Sequence, residues 1–241
     1  KAGTTTAYNY DDRGNIAQKR VYAYTTGILA NGTLRDTITY TYGNAVWKDL
    51  LTAYDGERIT YDAIGNPLSY RNGMTFTWQA GRQLKTATVG NLTYTMQYNQ
   101  DGIRTSKVQS AGGTTGEQTA YFVEDGEILG EYRYNAGVKK LLYQFDANGR
   151  RIGFTYNGTQ YYYRHNLQGD VIAILDHNAD TVAKYTYDAW GKVLSVTNAS
   201  GVAQASSSFI GNINPIRYRG YYYDTDLGLY YLQSRYYDPE T

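Results

Sequence analysis

The residues of this chain that could do chemistry are carboxylates set at fixed distances from glycines. Asp or Asn follows an aromatic residue and precedes Gly by three positions at Tyr10-Asp11…Gly14, Tyr61-Asp62…Gly65, Tyr98-Asn99…Gly102, Phe145-Asp146…Gly149 and Tyr187-Asp188…Gly191. His165-Asn166…Gly169 keeps the spacing with histidine in the aromatic place, and Leu175-Asp176…Ala179 has lost the glycine. Such side chains could ligate a cation. The same spacing also makes a turn: Asp or Asn accepts a hydrogen bond from the backbone two residues on, and Gly adopts the left-handed conformation that other residues resist. Asp176-His177-Asn178-Ala179-Asp180 begins like a calcium loop, but the sixth-position glycine is missing and Tyr187 stands where the bidentate Glu belongs. His165 and His177 are the only histidines and there is no cysteine, so a thiolate metal site and a disulfide framework are both excluded. No phosphate-cradling loop, nucleophile elbow or dinucleotide fingerprint occurs. We expect no metal centre and no cofactor.

The elements that must carry these turns are strands. The aromatic residue of each unit ends one strand, and an apolar residue after the glycine starts the next: Ile16, Leu68, Ile103, Ile152, Val171 and Val193. Thr37-Ile-Thr-Tyr-Thr-Tyr42 and Thr75-Phe-Thr-Trp78 alternate at period two, the pattern of strands with one face inward. Tyr156-Asn157-Gly158-Thr159 predicts a tight hairpin, and Asn31-Gly32, Asn72-Gly73 and Ala136-Gly137 mark further reversals. Ser110–Gly116 and Ala199–Ser208 read as long loops, and Ala45–Leu51 as a single helical turn. No other stretch has helical periodicity. The last segment, Arg219-Gly-Tyr-Tyr-Tyr-Asp224-Thr-Asp-Leu-Gly228-Leu-Tyr-Tyr-Leu-Gln-Ser-Arg235-Tyr-Tyr-Asp238-Pro239-Glu-Thr241, reads as a hairpin. Its strands are Tyr221–Tyr223 and Leu229–Leu232, and between them Asp224-Thr-Asp-Leu-Gly228 supplies Asp for a side-chain cap of the turn and Gly for a positive φ.

Composition supports sheets with one wetted face. The chain of 241 residues has 29 Tyr and 26 Gly against 3 Pro, and tyrosine buries its ring while its hydroxyl finds water or an acceptor. Tyr and Trp rings, among them Trp47, Trp78 and Trp190, could stack on sugars or pair across strands. A net charge of +1 gives no pull toward nucleic acid or anionic membranes. No run approaches the ~18 apolar residues of a membrane span, and Lys1-Ala-Gly-Thr-Thr-Thr6 lacks a signal-peptide core.

The repeated aromatic-Asp units and the terminal signature closely resemble the Rhs, or YD-repeat, family. The resemblance covers nearly the full length, and its Gly-Tyr-Tyr-Tyr-Asp…Gly-Leu-Tyr-Tyr…Arg-Tyr-Tyr-Asp-Pro ending is far more specific than any short catalytic pattern. It implies a β-strand shell that encloses and delivers a C-terminal effector, commonly a toxin, from a secreted or surface-attached bacterial protein. It also implies aspartic self-cleavage, with Arg235 and Asp238 on the first half of that motif. The second aspartate is expected after Thr241, and such a site needs two carboxylates sharing a proton. Within these residues, Asp238 is either half of a cleavage site or a strand-ending turn beside Arg235, so the segment is not expected to act as an enzyme.

The expectation is therefore an all-β, curved or spiralling antiparallel sheet of hairpins forming a single body over 1–241, with repeats over 1–208 and the signature region over 209–241. The expected partner is the effector of the parent chain. Cell-surface glycans are the rival partner, and open strand edges invite self-association.

Overall fold

The computed structural model describes residues 3–29 and 32–241; Lys1, Ala2, Ala30 and Asn31, and with them part of the expected Asn31-Gly32 reversal, lie outside the described residues. Nearly all of the regular structure is antiparallel β, as the residue pattern predicts. The chain forms two compact units, Lys1–Thr77 and Trp78–Thr241, so the signature region lies wholly inside the second. Among the described residues, no helix is long and apolar enough to cross a membrane.

In the first unit, Thr4–Tyr10 pairs with Ile16–Ala23, which pairs with Leu34–Thr41. Shorter strands Ala53–Tyr54 and Glu57–Arg58 continue the sheet, and Thr60–Tyr61 pairs with Pro67–Ser69. Tyr40, Tyr54 and Ile59 make a small core, with the two tyrosine rings edge to face at 5.2 Å. The expected helical turn at Ala45–Leu51 does not form. The Asn44 side chain instead accepts the Val46 and Trp47 N–H groups at 2.9 and 2.8 Å, which holds the segment as an Asx turn.

The second unit is built on an unbroken succession of antiparallel neighbours from Gln83–Val89 to Val193–Thr197. Strand alternation puts Tyr121, Leu141, Tyr143, Phe154, Tyr163, Ile174, Ala183 and Tyr185 on one face, where they form the main core. The three-stranded sheet of Tyr222–Asp224, Leu229–Tyr231 and Tyr236–Tyr237 lies against that face, adding Tyr222 and Tyr231 to the same cluster.

Two segments expected as loops are tighter than that. Ser110–Gly116 is a hairpin: Ala111 is in register with Thr114, and Gly112 and Gly113 take φ of 54° and 84°. Both central residues of such a turn need positive φ, so the glycines belong to the turn and the threonines to the strand. Ala199–Ser208 opens with a further turn unit, in which Asn198 Oδ1 accepts the Val202 N–H at 3.0 Å and Gly201 takes φ of 81°. The same stretch then leads into a four-residue helix, Ile210–Ile213, too short to leave a periodic signal.

Candidate functional site

The carboxylates of the repeat are satisfied locally. In each unit one Oδ1 accepts two backbone N–H groups, two and four residues on: Asp11 from Arg13 and Asn15, Asp62 from Ile64 and Asn66, Asn99 from Asp101 and Ile103. Asp146, Asn166, Asp176 and Asp188 do the same, all at 2.9–3.0 Å. Gly14, Gly65, Gly102, Gly149, Gly169 and Gly191 sit at positive φ, and Ala179 is forced to 66° in the unit that lacks the glycine. For Asp11 the Asn15 side chain is the largest influence and holds the carboxyl below its usual value; for Asp62, burial pushes upward but the Asn66 bonds prevail. Among the described residues, no group of three or more His, Cys, Asp or Glu side chains gathers as a metal site.

A register shift follows each turn, so the aromatic residue pairs with the residue six positions on: Tyr10 with Ile16, Tyr61 with Pro67, Tyr98 with Arg104, Phe145 with Arg151, His165 with Val171 and Tyr187 with Val193. The second strand thus opens one residue before the expected Leu68, and one residue after the expected Ile103 in the Tyr98 unit. In the Phe145 unit it opens at Arg151 and not Ile152. The bulge sets the same six-residue register in every unit, so the strand opens there whether or not the residue is the apolar one expected. The unit tyrosines reach back to earlier carbonyls. Tyr61 donates to Leu51 at 2.6 Å, Tyr98 to Leu84 at 3.0 Å and Tyr187 to Val171 at 2.7 Å. Burial pushes the Tyr61 and Tyr98 phenols up to about 12, so they remain donors across the ordinary pH range.

In the second unit the turns also serve as ledges for the signature. Arg219 N–H donates to Asp170 Oδ1 at 2.9 Å, Tyr230 to the Gly191 carbonyl at 2.8 Å and Tyr237 to the Trp190 carbonyl at 2.6 Å. A Cβ on Gly191 would lie 2.4 Å from the Tyr218 ring, so glycine here serves both its positive φ and the close approach of the signature.

The centre of the site is Asp224, and it corrects the sequence reading. Its main-chain carbonyl accepts the Leu227 and Gly228 N–H groups of the turn, but its carboxylate points away from the turn into the core. There Arg104 straddles it at 2.5 and 3.3 Å and Lys107 binds it at 3.0 Å; Lys107 also reaches Asp226 at 2.9 Å. The Arg104 guanidinium lies among the rings of Tyr231, Tyr121 and Tyr222 at 4.4, 4.7 and 5.1 Å. Burial alone would raise the Asp224 carboxyl, but Arg104 and then Lys107 outweigh it and hold the group below its ordinary value. Two buried cations explain why the carboxylate leaves the turn.

Two further polar groups join the signature to the sheet. Glu131, fully buried, pairs with Arg133 and accepts the Tyr222 hydroxyl at 2.7 Å. Asn214 accepts the Tyr163 hydroxyl at 2.6 Å and donates to the Tyr185 hydroxyl at 3.2 Å and the Ile216 carbonyl at 2.7 Å. Sequence reasoning missed Arg104, Lys107, Glu131 and Asn214. The available signal was charge inside strands: Arg104-Thr-Ser-Lys107 and Gly130-Glu131-Tyr132 interrupt runs that otherwise alternate.

Asp238 Oδ1 accepts the Glu240 N–H at 2.9 Å, and Pro239 after it is buried. Arg235 is exposed at the mouth of a cleft beside the signature. The Lys192–Glu240 ion pair at 3.1 Å and the Tyr237 hydroxyl fasten this run to the Asp188 turn. Of the rings offered for stacking, Trp47 lies over Gly65, and Trp190 is partly exposed on its turn.

The RHS Repeat family profile matches residues 165–203. The tRNA3(Ser)-specific nuclease WapA of Bacillus spizizenii is 34% identical over 243 residues, which cover 98% of this chain and 9% of the nuclease. The tRNA(Glu)-specific nuclease WapA of Bacillus subtilis subsp. natto is 35% identical over 204 residues, covering 78% of this chain and 8% of the nuclease. Among solved structures, TcdB2-TccC3 without its hypervariable C-terminal region has the same fold, with a TM-score of 0.74 at 20% identity over 99% of this chain and 12% of that one. The chain therefore spans less than a tenth of the length of these curated relatives.

Proposed function

This chain belongs to the Rhs, or YD-repeat, family, and we propose that it is a shell segment that, in the intact parent, encloses and delivers a C-terminal effector. The observation that carries this reading is that the same stretch recurs, at 34% and 35% identity, in nucleases named for different tRNAs, while it accounts for 9% and 8% of their lengths. A constant carrier joined to a variable effector has that pattern. The buried docking of the signature on the inner face of the sheet supports it, because closing one end of a container requires a fixed plug. The parent would act as a secreted or surface-attached bacterial protein, and the open edge of Thr4–Tyr10 would pair with a neighbouring strand or a second copy.

A second reading concerns Asp238. Tyr237 and Glu240, on either side of Asp238-Pro239, are tied to the Asp188 turn, and this fixed backbone around Asp238 supports the reading. Asp238 would supply one of the two carboxylates of a self-cleavage site. This segment alone would then be no enzyme.

One experiment addresses both readings. The parent chain, including the residues that follow Thr241, is purified beside its Asp238→Asn variant, and each is examined by intact mass and by limited proteolysis. Enclosure predicts that the C-terminal portion resists protease in the parent and is digested when produced alone. Self-cleavage predicts a break after Thr241 that the variant lacks. Equal digestion of the enclosed and free portions would remove the carrier reading, and an uncleaved parent would leave Asp238 as a turn residue.

A further inference from the structure

An asparagine followed by glycine is open to attack by its own main chain, because glycine has no Cβ to shield its nitrogen or to restrict its backbone. Three such steps lie wholly within the described residues: Asn72-Gly73, Asn148-Gly149 and Asn157-Gly158, each at a reversal and each exposed. Sequence and exposure do not separate them. Their hydrogen bonds do.

Asn157 Oδ1 accepts the Lys140 N–H at 2.8 Å while the Asn157 N–H donates to the Lys140 carbonyl at 2.9 Å, so the side-chain carbonyl is held against the neighbouring strand. In the Phe145 unit the Gly149 N–H, which carries the attacking nitrogen, donates to the Asp146 carbonyl at 3.0 Å. At each of these steps one reacting group is occupied. Asn72 differs. It stands in the left-handed conformation, φ 57° and ψ 29°, with Gly73 at φ of 66°. Its own N–H donates to the Glu57 carboxylate, and the turn is closed by Tyr70 N–H to the Met74 carbonyl at 2.8 Å and Met74 N–H to the Arg71 carbonyl at 3.2 Å. Among the described residues no hydrogen-bond partner meets the Asn72 side-chain amide, and the Gly73 N–H makes no well-formed hydrogen bond.

We propose that Asn72 is a site of spontaneous deamidation, and that the fold protects Asn148 and Asn157. The Gly73 nitrogen gives up its proton and attacks Asn72 Cγ, the Cγ–Nδ2 bond breaks, and ammonia leaves as the cyclic imide closes. Water then adds to one of the two imide carbonyls and opens the ring, to Asp or to an isoaspartyl link whose main chain runs through Cβ and Cγ. The isoaspartyl link lengthens the main chain by one carbon in a turn whose flanking Arg71 and Met74 are buried and whose strands meet at Ser69 and Thr75. Either product adds a carboxylate to a turn that Glu57 already holds, so the turn loosens as product accumulates. The inference is independent of the carrier role.

The 241-residue chain is incubated in water enriched in heavy oxygen, once folded and once in denaturant, and sampled over time. Digests made in ordinary water are mapped by mass, so that only amides lost before digestion carry the label, and isoaspartate is assigned by enzymatic methylation. In the folded chain the Asn72 peptide should deamidate roughly 2- to 12-fold faster than the Asn148 or Asn157 peptide, the range of the one hydrogen bond that must first break at each of those two. In denaturant the three rates should converge. Hydrogen exchange at the Tyr70 and Met74 N–H groups should quicken in the aged folded chain and not in Asn72→Gln, whose longer side chain closes an imide far more slowly. Reaction at Asn72 no faster than at Asn148 or Asn157 in the folded chain would overturn the proposal. So would the same order of rates in denaturant, which would assign the difference to flanking sequence and not to the fold.

Discussion

Asp188 and Asp224 each follow a tyrosine at the end of a strand, and the two do opposite work. Asp188 binds the backbone of its own turn, at Trp190 and Lys192, and could be cut from the protein with its partners intact. The Asp224 carboxylate leaves its own turn to the main chain and binds Arg104 and Lys107, from sequence positions 120 and 117 residues away. A carboxylate that satisfies itself locally builds a repeat that can be copied along the chain. A carboxylate that needs distant cations fixes one segment in one place, and that is what a closing segment requires.

The sharpest test of this difference is removal of each carboxylate. Asp224→Ala strands the buried Arg104 and leaves Lys107 with Asp226 as its carboxylate partner, and should cost about 3–5 kcal/mol, the penalty for breaking a buried pair. Asp188→Ala frees two backbone donors at a turn reached by water and should cost about 1 kcal/mol. Chemical denaturation of both variants measures this, and equal losses would dissolve the distinction. Acid gives a second view. The Asp224 carboxyl is depressed in the folded state, so its contribution is complete above the ordinary value of 3.8 and is lost as pH falls below it toward the folded value. Melting temperature followed from neutral pH downward should therefore fall less steeply in Asp224→Asn than in the parent chain, and only in that acidic range.

A smaller effect separates two turns of identical backbone. Gly169 and Gly191 both have φ of 90°, yet an added Cβ meets nothing within 4 Å at Gly169 and the Tyr218 ring at 2.4 Å at Gly191. Gly169→Ala should cost about 1–2 kcal/mol for the left-handed backbone alone. Gly191→Ala adds about 1–3 kcal/mol of overpacking against the signature. Equal melting shifts would mean that the Asp188 turn is not a docking ledge.

What could be read from sequence follows the same division. The Asp-x-x-Gly turns, the Asn157-Gly158 hairpin and the strand alternation are local, since each depends on residues within six positions, and the resemblance of the terminal signature fixed the family. The loop at Ser110–Gly116 was misjudged because two glycines in small-residue surroundings look the same in a loop and in a two-residue hairpin turn. The Arg104–Asp224–Lys107 centre had no local signature at all. Asp224 looks like a turn cap because a capping Asp and a buried Asp occupy the same place before a turn, and only the tertiary pairing of the signature with the sheet distinguishes them.

The repeat also contains its own natural variant, and it allows the finest test. The Asp176 unit keeps both backbone bonds, to Asn178 and Asp180, although Ala179 replaces the glycine at φ of 66°. The left-handed backbone costs Ala about 1–2 kcal/mol, while glycine would cost the unfolded chain's extra freedom, about 0.4–1 kcal/mol. Ala179→Gly should thus stabilise the protein by about 0.5–1 kcal/mol, seen as a higher denaturant midpoint with unchanged slope. Asp176→Ala in the same chain should destabilise by about 1 kcal/mol. If the glycine substitution brings no gain while the Asp substitution still costs, the capping carboxylate alone sets the turn. The glycines elsewhere in the array would then be kept for the close approach of neighbouring segments, as at Gly191, and not for the turn itself.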